Sequence, residues 1–149
     1  MNKVNRILVA VDFSPCSLVA LRQAVSLAGQ LGASVDVLHV AEVPLFRREP
    51  RITSENGPTS LNEYAASEAR RELDAFLQEL PSEPRVKLQT HIDTGRARDS
   101  IIARAKQGYD LLVMGTHGRT GRAHSLAGSV TESLVRVAPC PVLAVREPS

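Results

Sequence analysis

A doubly wound α/β sandwich, with a five-stranded parallel sheet and helices on both faces, is the fold class predicted for this 149-residue chain. Three observations predict it. Short apolar runs alternate with segments of helical spacing, giving β-α-β-α-β-α-β-α-β with no internal repeat. Hydrophobic residues make up 43% of the chain but aromatics only 3%, so the core is built from Val, Leu, Ile and Ala, as suits strands covered on both sides. Polar and glycine residues gather at the carboxyl ends of two of the strands, at Asp12 and Gly115, where doubly wound sheets bind ligands.

Each element has its own signal. Ile7-Leu-Val-Ala-Val11 is a short, β-branched-rich run, the pattern of a strand buried on both faces. Ser14-Pro15 supplies an N-cap and a proline at the first helical position, Leu18, Leu21, Val25 and Ala28 follow at helical spacing, and Gly32 stops the helix. A second strand runs from Ser34 to Ala41. From 44 to 60 the periodicity breaks down among prolines, arginines and Gly57, which predicts a long mobile loop. A helix is predicted over Leu61–Leu80, with Tyr64, Ala65, Ala69, Leu73, Phe76, Leu77 and Leu80 as its apolar stripe, ended by Pro81 and Pro84. Val86–Ile92 alternates as a strand does, and Gly95 leads into a helix that presents Ile101, Ile102 and Ala105 and stops at Gly108. A fourth strand spans Asp110–Met114, a last helix starts at about Ser129, and Pro141–Arg146 is the fifth strand. With no linker long enough to divide it, the chain reads as one domain over residues 1–149.

Bulk properties exclude several function classes. A formal charge of +2 with no long basic run argues against nucleic-acid or membrane-surface binding. No apolar stretch approaches the roughly 20 residues that span a bilayer. The N-terminal run ending at Asp12 is too short for a signal-peptide core, so a cytoplasmic protein is expected. The two cysteines do not make a disulfide framework; Cys16 reads as a small buried residue rather than a redox sensor, and lies at the opposite end of the sheet from Cys140. No set of His, Cys, Asp and Glu has metal-ligand spacing, so no protein-held metal is expected.

The chemistry concentrates between Met114 and Thr131. Gly115, two residues, Gly118, nine residues and then Gly128-Ser129 lie between an apolar strand and a helix start. Glycines let backbone N–H groups approach an anion, and the helix start adds unpaired donors and the positive end of its dipole. Arg119 and Arg122 contribute charge suited to phosphate. The spacing is neither that of a P-loop nor of a dinucleotide fingerprint, and no Walker lysine or nucleophile elbow is present. Turn punctuation is the plainer reading of any one glycine; four in this segment, Gly121 included, beside Ser129 and Thr131 favour phosphate. Asp12 could cap the helix opening near Pro15, but Ser14 already serves there, which favours ligand contact for Asp12. His117 invites a general acid or base, with an exposed loop histidine as the plainer alternative, so no catalytic residue is assigned. His39 and His91 read as packed or edge residues of strands, and His124 as a loop residue.

With these residues in hand, the chain resembles the universal stress protein family, in its ATP-binding branch. The resemblance rests on Ile7–Asp12, Asp110–Arg119, Gly128–Glu132 and Ala138–Val145, and on the motif Gly-x2-Gly-x9-Gly-Ser/Thr, intact from Gly115 to Ser129. It implies the adenine-nucleotide alpha-hydrolase-like strand order 3-2-1-4-5 and a homodimer; an exposed apolar edge at the C-terminal strand, residues 142–146, is expected to pair with its twin there. It also implies that Asp12 contacts ribose and that main-chain groups of Val11 and Val40 meet adenine. Gly115, Gly118, Gly128, Ser129, Val130 and Thr131 would line the phosphates, with Met114 and Arg119 in the same site and Mg²⁺ or Mn²⁺ held through the phosphates. The implied function is an ATP-dependent sensor or regulator of the stress response; a weak ATPase and a chaperone-like interaction protein with incidental nucleotide are the alternatives. Residues 44–58 and the polar tract Arg122–Ser125 depart from the family pattern.

Overall fold

The computed structural model describes residues 3–44, 50–117 and 128–148. Five parallel strands form the central sheet: β1 (Arg6–Ala10), β2 (Ser34–Ala41), β5 (Leu88–Thr94), β6 (Leu111–Gly115) and β7 (Val142–Val145). Their order is β5-β2-β1-β6-β7, which is the expected 3-2-1-4-5 when the five are numbered along the chain. β1 is central, with Ala10 level with Leu38 of β2 on one side and with Met114 of β6 on the other. The direction of winding reverses there, so the carboxyl ends of β1 and β6 open on the crevice where such sheets hold ligands.

Helices cover both faces. On one side α1 (Pro15–Leu31) and α2 (Leu61–Leu77) pack on Ile7, Val9, Val35 and Val37; on the other, α3 (Ala97–Ala105) and α4 (Ser129–Val137) pack on Leu8, Ala10, Leu38 and Leu112. Successive residues of β1 thus enter opposite cores, the reason its sequence is apolar throughout rather than alternating. The α1 signals act as read. Ser14 Oγ accepts from Ser17 N–H at 3.1 Å, Pro15 opens the helix, and Gly32 closes it in the left-handed region at φ 69°.

Four expectations need correction. Residues 51–60 are not irregular: β3 (Arg51–Ser54) and β4 (Gly57–Ser60) form an antiparallel hairpin, with Ser54 level with Gly57; residues 45–49 of the expected loop lie outside the described residues. The signal was the turn dipeptide Asn56-Gly57: Glu55 and Asn56 make the turn and Gly57 opens β4 at φ 101°; Pro58 is tolerated because a two-stranded ribbon leaves one side of each strand without ladder partners. The second helix ends at Leu77 rather than Leu80, because the chain tightens into i to i−3 bonds from Gln78, Glu79 and Leu80 N–H to Ala75, Phe76 and Leu77 carbonyls. Tyr64, assigned to its apolar stripe, is 40% exposed: the first turns of α2 lie beside the hairpin, and only from Ala69 onward does the helix bury residues. The third sheet strand is also two residues later than its alternation suggested. Pairing starts with Val35 N–H on the Lys87 carbonyl and carries through Asp93 and Thr94, level with Val40 and Ala41.

Candidate functional site

A cavity of about 440 Å³ opens at the carboxyl ends of β2, β1 and β6, within the range of small-molecule sites. Val11, Asp12, Val40, Met114, Gly115, Gly128, Ser129, Val130 and Thr131 all line it; Gly118 and Arg119, like Arg122 and His124, lie outside the described residues. Strand adjacency brings the first five of these together, and α4 with its cap delivers the rest.

The β1 end is held by a web of caps. Asp12 Oδ1 accepts from Ser17 Oγ–H at 2.6 Å and from Ser14 N–H at 3.0 Å, while Asp12 N–H donates to Ser17 Oγ at 3.0 Å. Capping and cavity lining are therefore not alternatives for Asp12: one carboxylate oxygen fixes the start of α1 while the residue stands on the cavity wall. The turn between them puts Phe13 at φ 66°, a left-handed conformation costly for a side chain of this size. Ring packing offsets that cost. Phe13 stacks on His39 with centroids 4.1 Å apart and meets Phe76 edge-on at 5.6 Å.

Val11 is more occupied than expected. Its N–H donates to the Leu38 carbonyl at 2.9 Å, and its carbonyl lies 2.7 Å from His39 Nδ1. A carbonyl only accepts, so Nδ1 carries the proton and His39 orients this part of the wall. That role is one a strand histidine read only as packed or edge did not reveal.

Gly115 has a reason of its own to be glycine. A Cβ there would stand 2.8 Å from Cys16 Sγ and 3.1 and 3.2 Å from the Cys16 carbonyl carbon and oxygen, so the first turn of α1 rests on this strand end. Cys16 is 2% exposed, its Sγ 3.5 Å from the Val145 carbonyl, and both cysteines are free. At Cys140, burial with the nearby Asp110 charge pushes the thiol pKa up.

The start of α4 is tied to the same strand. Thr131 Oγ donates to the Gly115 carbonyl at 2.8 Å, and Gly128 N–H donates to the Thr116 carbonyl. Gly128 is the N-cap and, among the described residues, no side chain caps the helix; its first internal bond runs from Glu132 N–H to the Gly128 carbonyl at 2.9 Å. The N–H groups of Ser129, Val130 and Thr131 precede that bond, which makes this end of the cavity suited to an anion. His117 lines the cavity too, its Nδ1 3.0 Å from Thr116 Oγ. Ser17, Glu42, Ala97 and Ile101 also line the wall, with Ala10, Leu38 and His39, without having been singled out for it. Ala97 and Ile101, four apart on one helix face, were the legible pair.

A separate polar cluster sits at the opposite end of the sheet. Asp36 Oδ2 accepts from Tyr109 OH at 2.5 Å and lies 3.1 Å from His91 Nε2 and 3.6 Å from Arg6, whose guanidinium covers the Tyr109 ring. Burial and the Asp36 carboxylate push the Tyr109 pKa up to about 12. Among the described residues, no three His, Cys, Asp or Glu side chains converge to hold a metal ion, and no helix is long and apolar enough to cross a membrane.

The sequence profile of the universal stress protein family matches residues 3–146. This chain belongs to the universal stress protein family. Among its relatives, universal stress protein MJ0531 of Methanocaldococcus jannaschii is 32% identical over 148 residues, covering 99% of this chain and 85% of the relative. Among solved structures, universal stress protein UspA from Lactobacillus plantarum superposes with a TM-score of 0.77 at 25% identity, covering 98% of this chain and all of that one. A universal stress protein in complex with cAMP shares the fold, with a TM-score of 0.61 at 21% identity, covering 97% of this chain and 98% of that one.

Proposed function

We propose that this universal stress protein is an ATP-binding sensor of the cytoplasm, whose bound nucleotide orders the surface around the glycine segment. The observation that carries this reading is the cavity itself, with a helix start capped by Gly128 at one end and apolar residues at the other. A triphosphate fits the first-turn N–H groups of α4, and a ribose fits the Asp12 wall. A flat base fits between Val40 and the Ala97–Ile101 face of α3. Mg²⁺ or Mn²⁺ would ride on the phosphates. β7 is an edge strand with β6 on one side, and its pairing with a second copy would give a homodimer.

The test is to release and identify whatever copurifies with the protein, then titrate Mg²⁺–ATP by calorimetry into the natural protein and into Gly128→Val. The backbone at Gly128, φ −65° and ψ 158°, is ordinary for any residue, so the variant should fold with a helix-cap cost of about 1 kcal/mol. Micromolar binding that the folded variant loses supports the reading; equal affinity of the two proteins refutes it. Because His117 stands on the cavity wall, slow hydrolysis is the second reading, decided by whether ATP survives incubation with the protein.

A further inference from the structure

We propose that Glu42 selects the base, favouring a purine with a 6-amino group over one with a 6-oxo group. The inference rests on the nucleotide reading above and adds a specificity-determining residue to it. The carboxyl ends of β2, β1 and β6 lie side by side in that order. The anion-suited start of α4 is fastened to β6 through Thr131 and the Gly115 carbonyl, and Asp12 follows β1. A nucleotide lying across the three strands therefore carries its base to the β2 side, where Leu38, Val40, Ala97 and Ile101 make an apolar slot.

Asp12 and Glu42 are the two carboxylates among the described residues of this wall, and Glu42 is the one on the β2 side. It does not hang loose. Glu42 Oε1 accepts from Ala97 N–H at 3.1 Å, so the side chain is held at the start of α3, at the rim of the slot. An ionised carboxylate can only accept hydrogen bonds. With one oxygen committed to Ala97, the other offers an acceptor to the base edge. An exocyclic amino group satisfies it; a carbonyl at the same position meets it acceptor to acceptor.

Glutamine at this position reverses the chemistry. Its single carbonyl oxygen is needed by Ala97 N–H, which turns the NH₂ donor toward the base. ATP and ITP differ at position 6 in this sense, and both carry the same triphosphate and ribose. Calorimetric titration of Mg²⁺–ATP and Mg²⁺–ITP into the natural protein should show ATP bound about tenfold more tightly, the scale of one hydrogen bond to a charged group at a wet rim. In Glu42→Gln the preference should fall away or pass to ITP, and in Glu42→Ala the two should bind alike. An unchanged preference in both folded variants, or equal affinities in the natural protein, overturns the role of Glu42 while leaving the nucleotide site standing. Failure of the natural protein to bind either triphosphate removes the nucleotide reading itself, and this inference with it.

Discussion

Gly115→Ala separates two reasons for a glycine at the end of β6. The phosphate argument needs glycine for close approach of a ligand, whereas the packing argument needs it even in the empty protein. The added Cβ would sit 2.8 Å from Cys16 Sγ and 3.1 and 3.2 Å from Cys16 backbone atoms. A thiol can rotate away, but the backbone can yield only if the first turn of α1 lifts off the strand. That turn is pinned by Ser14, Ser17 and Asp12, so the strain is not cheaply relieved. Overpacking of this kind costs about 1–3 kcal/mol, and two backbone contacts place it near the top of that range. For a chain of this length the melting temperature should fall by roughly 5–10 °C. Urea denaturation without nucleotide measures the loss, and Cys16→Ala in the same background should recover little of it, because the backbone contacts remain. A Gly115→Ala protein as stable as its parent would refute the packing argument and return this glycine to the ligand alone.

Other outcomes follow from the same geometry. The raised Tyr109 pKa, about 12 against an ordinary value near 10, means the folded state holds its phenolic proton longer than the unfolded chain does. Stability from this group is therefore intact below pH 10 and lost as pH rises toward 12, by about 2 kcal/mol in all. Urea melts from pH 9 to 12 should show a steeper decline for the natural protein than for Tyr109→Phe; parallel curves would show that Tyr109 does not carry it. Sedimentation equilibrium at micromolar concentration should give the mass of a dimer if β7 pairs with a second copy, and a monomer would leave that edge bare.

Much of the site was legible along the chain because its parts are local. Ser14-Pro15, the Gly128-Ser129 helix start and the spacing from Gly115 are signals within one turn or loop, where capping and backbone freedom depend on neighbouring residues alone. The fold class was legible for the same kind of reason, since continuous apolar strands alternating with amphipathic helices pack stably in few ways. The hairpin at 51–60 was as local as these, and its Asn56-Gly57 signal was outweighed by the prolines around it. What the sequence by itself determined, then, was the order of the sheet strands and the helices that cover them, and the local signals at the helix starts that line the cavity.

Only the tertiary structure decided which residues from distant segments meet. Glu42 reaches Ala97 across 55 positions, His39 orients Val11 across 28, and Cys16 dictates the glycine at position 115. Asp36 and Tyr109 meet across 73 positions to make the second polar cluster. Nothing in the local pattern of any of these residues names its partner, because strand adjacency is set by the packing of the whole sheet and not by order along the chain. The same physics that hid these pairs made Asp12 hard to read. Its carboxylate serves a helix cap nearby in sequence, and the meeting of β1 with β6 is what sets that cap on the wall of a cavity.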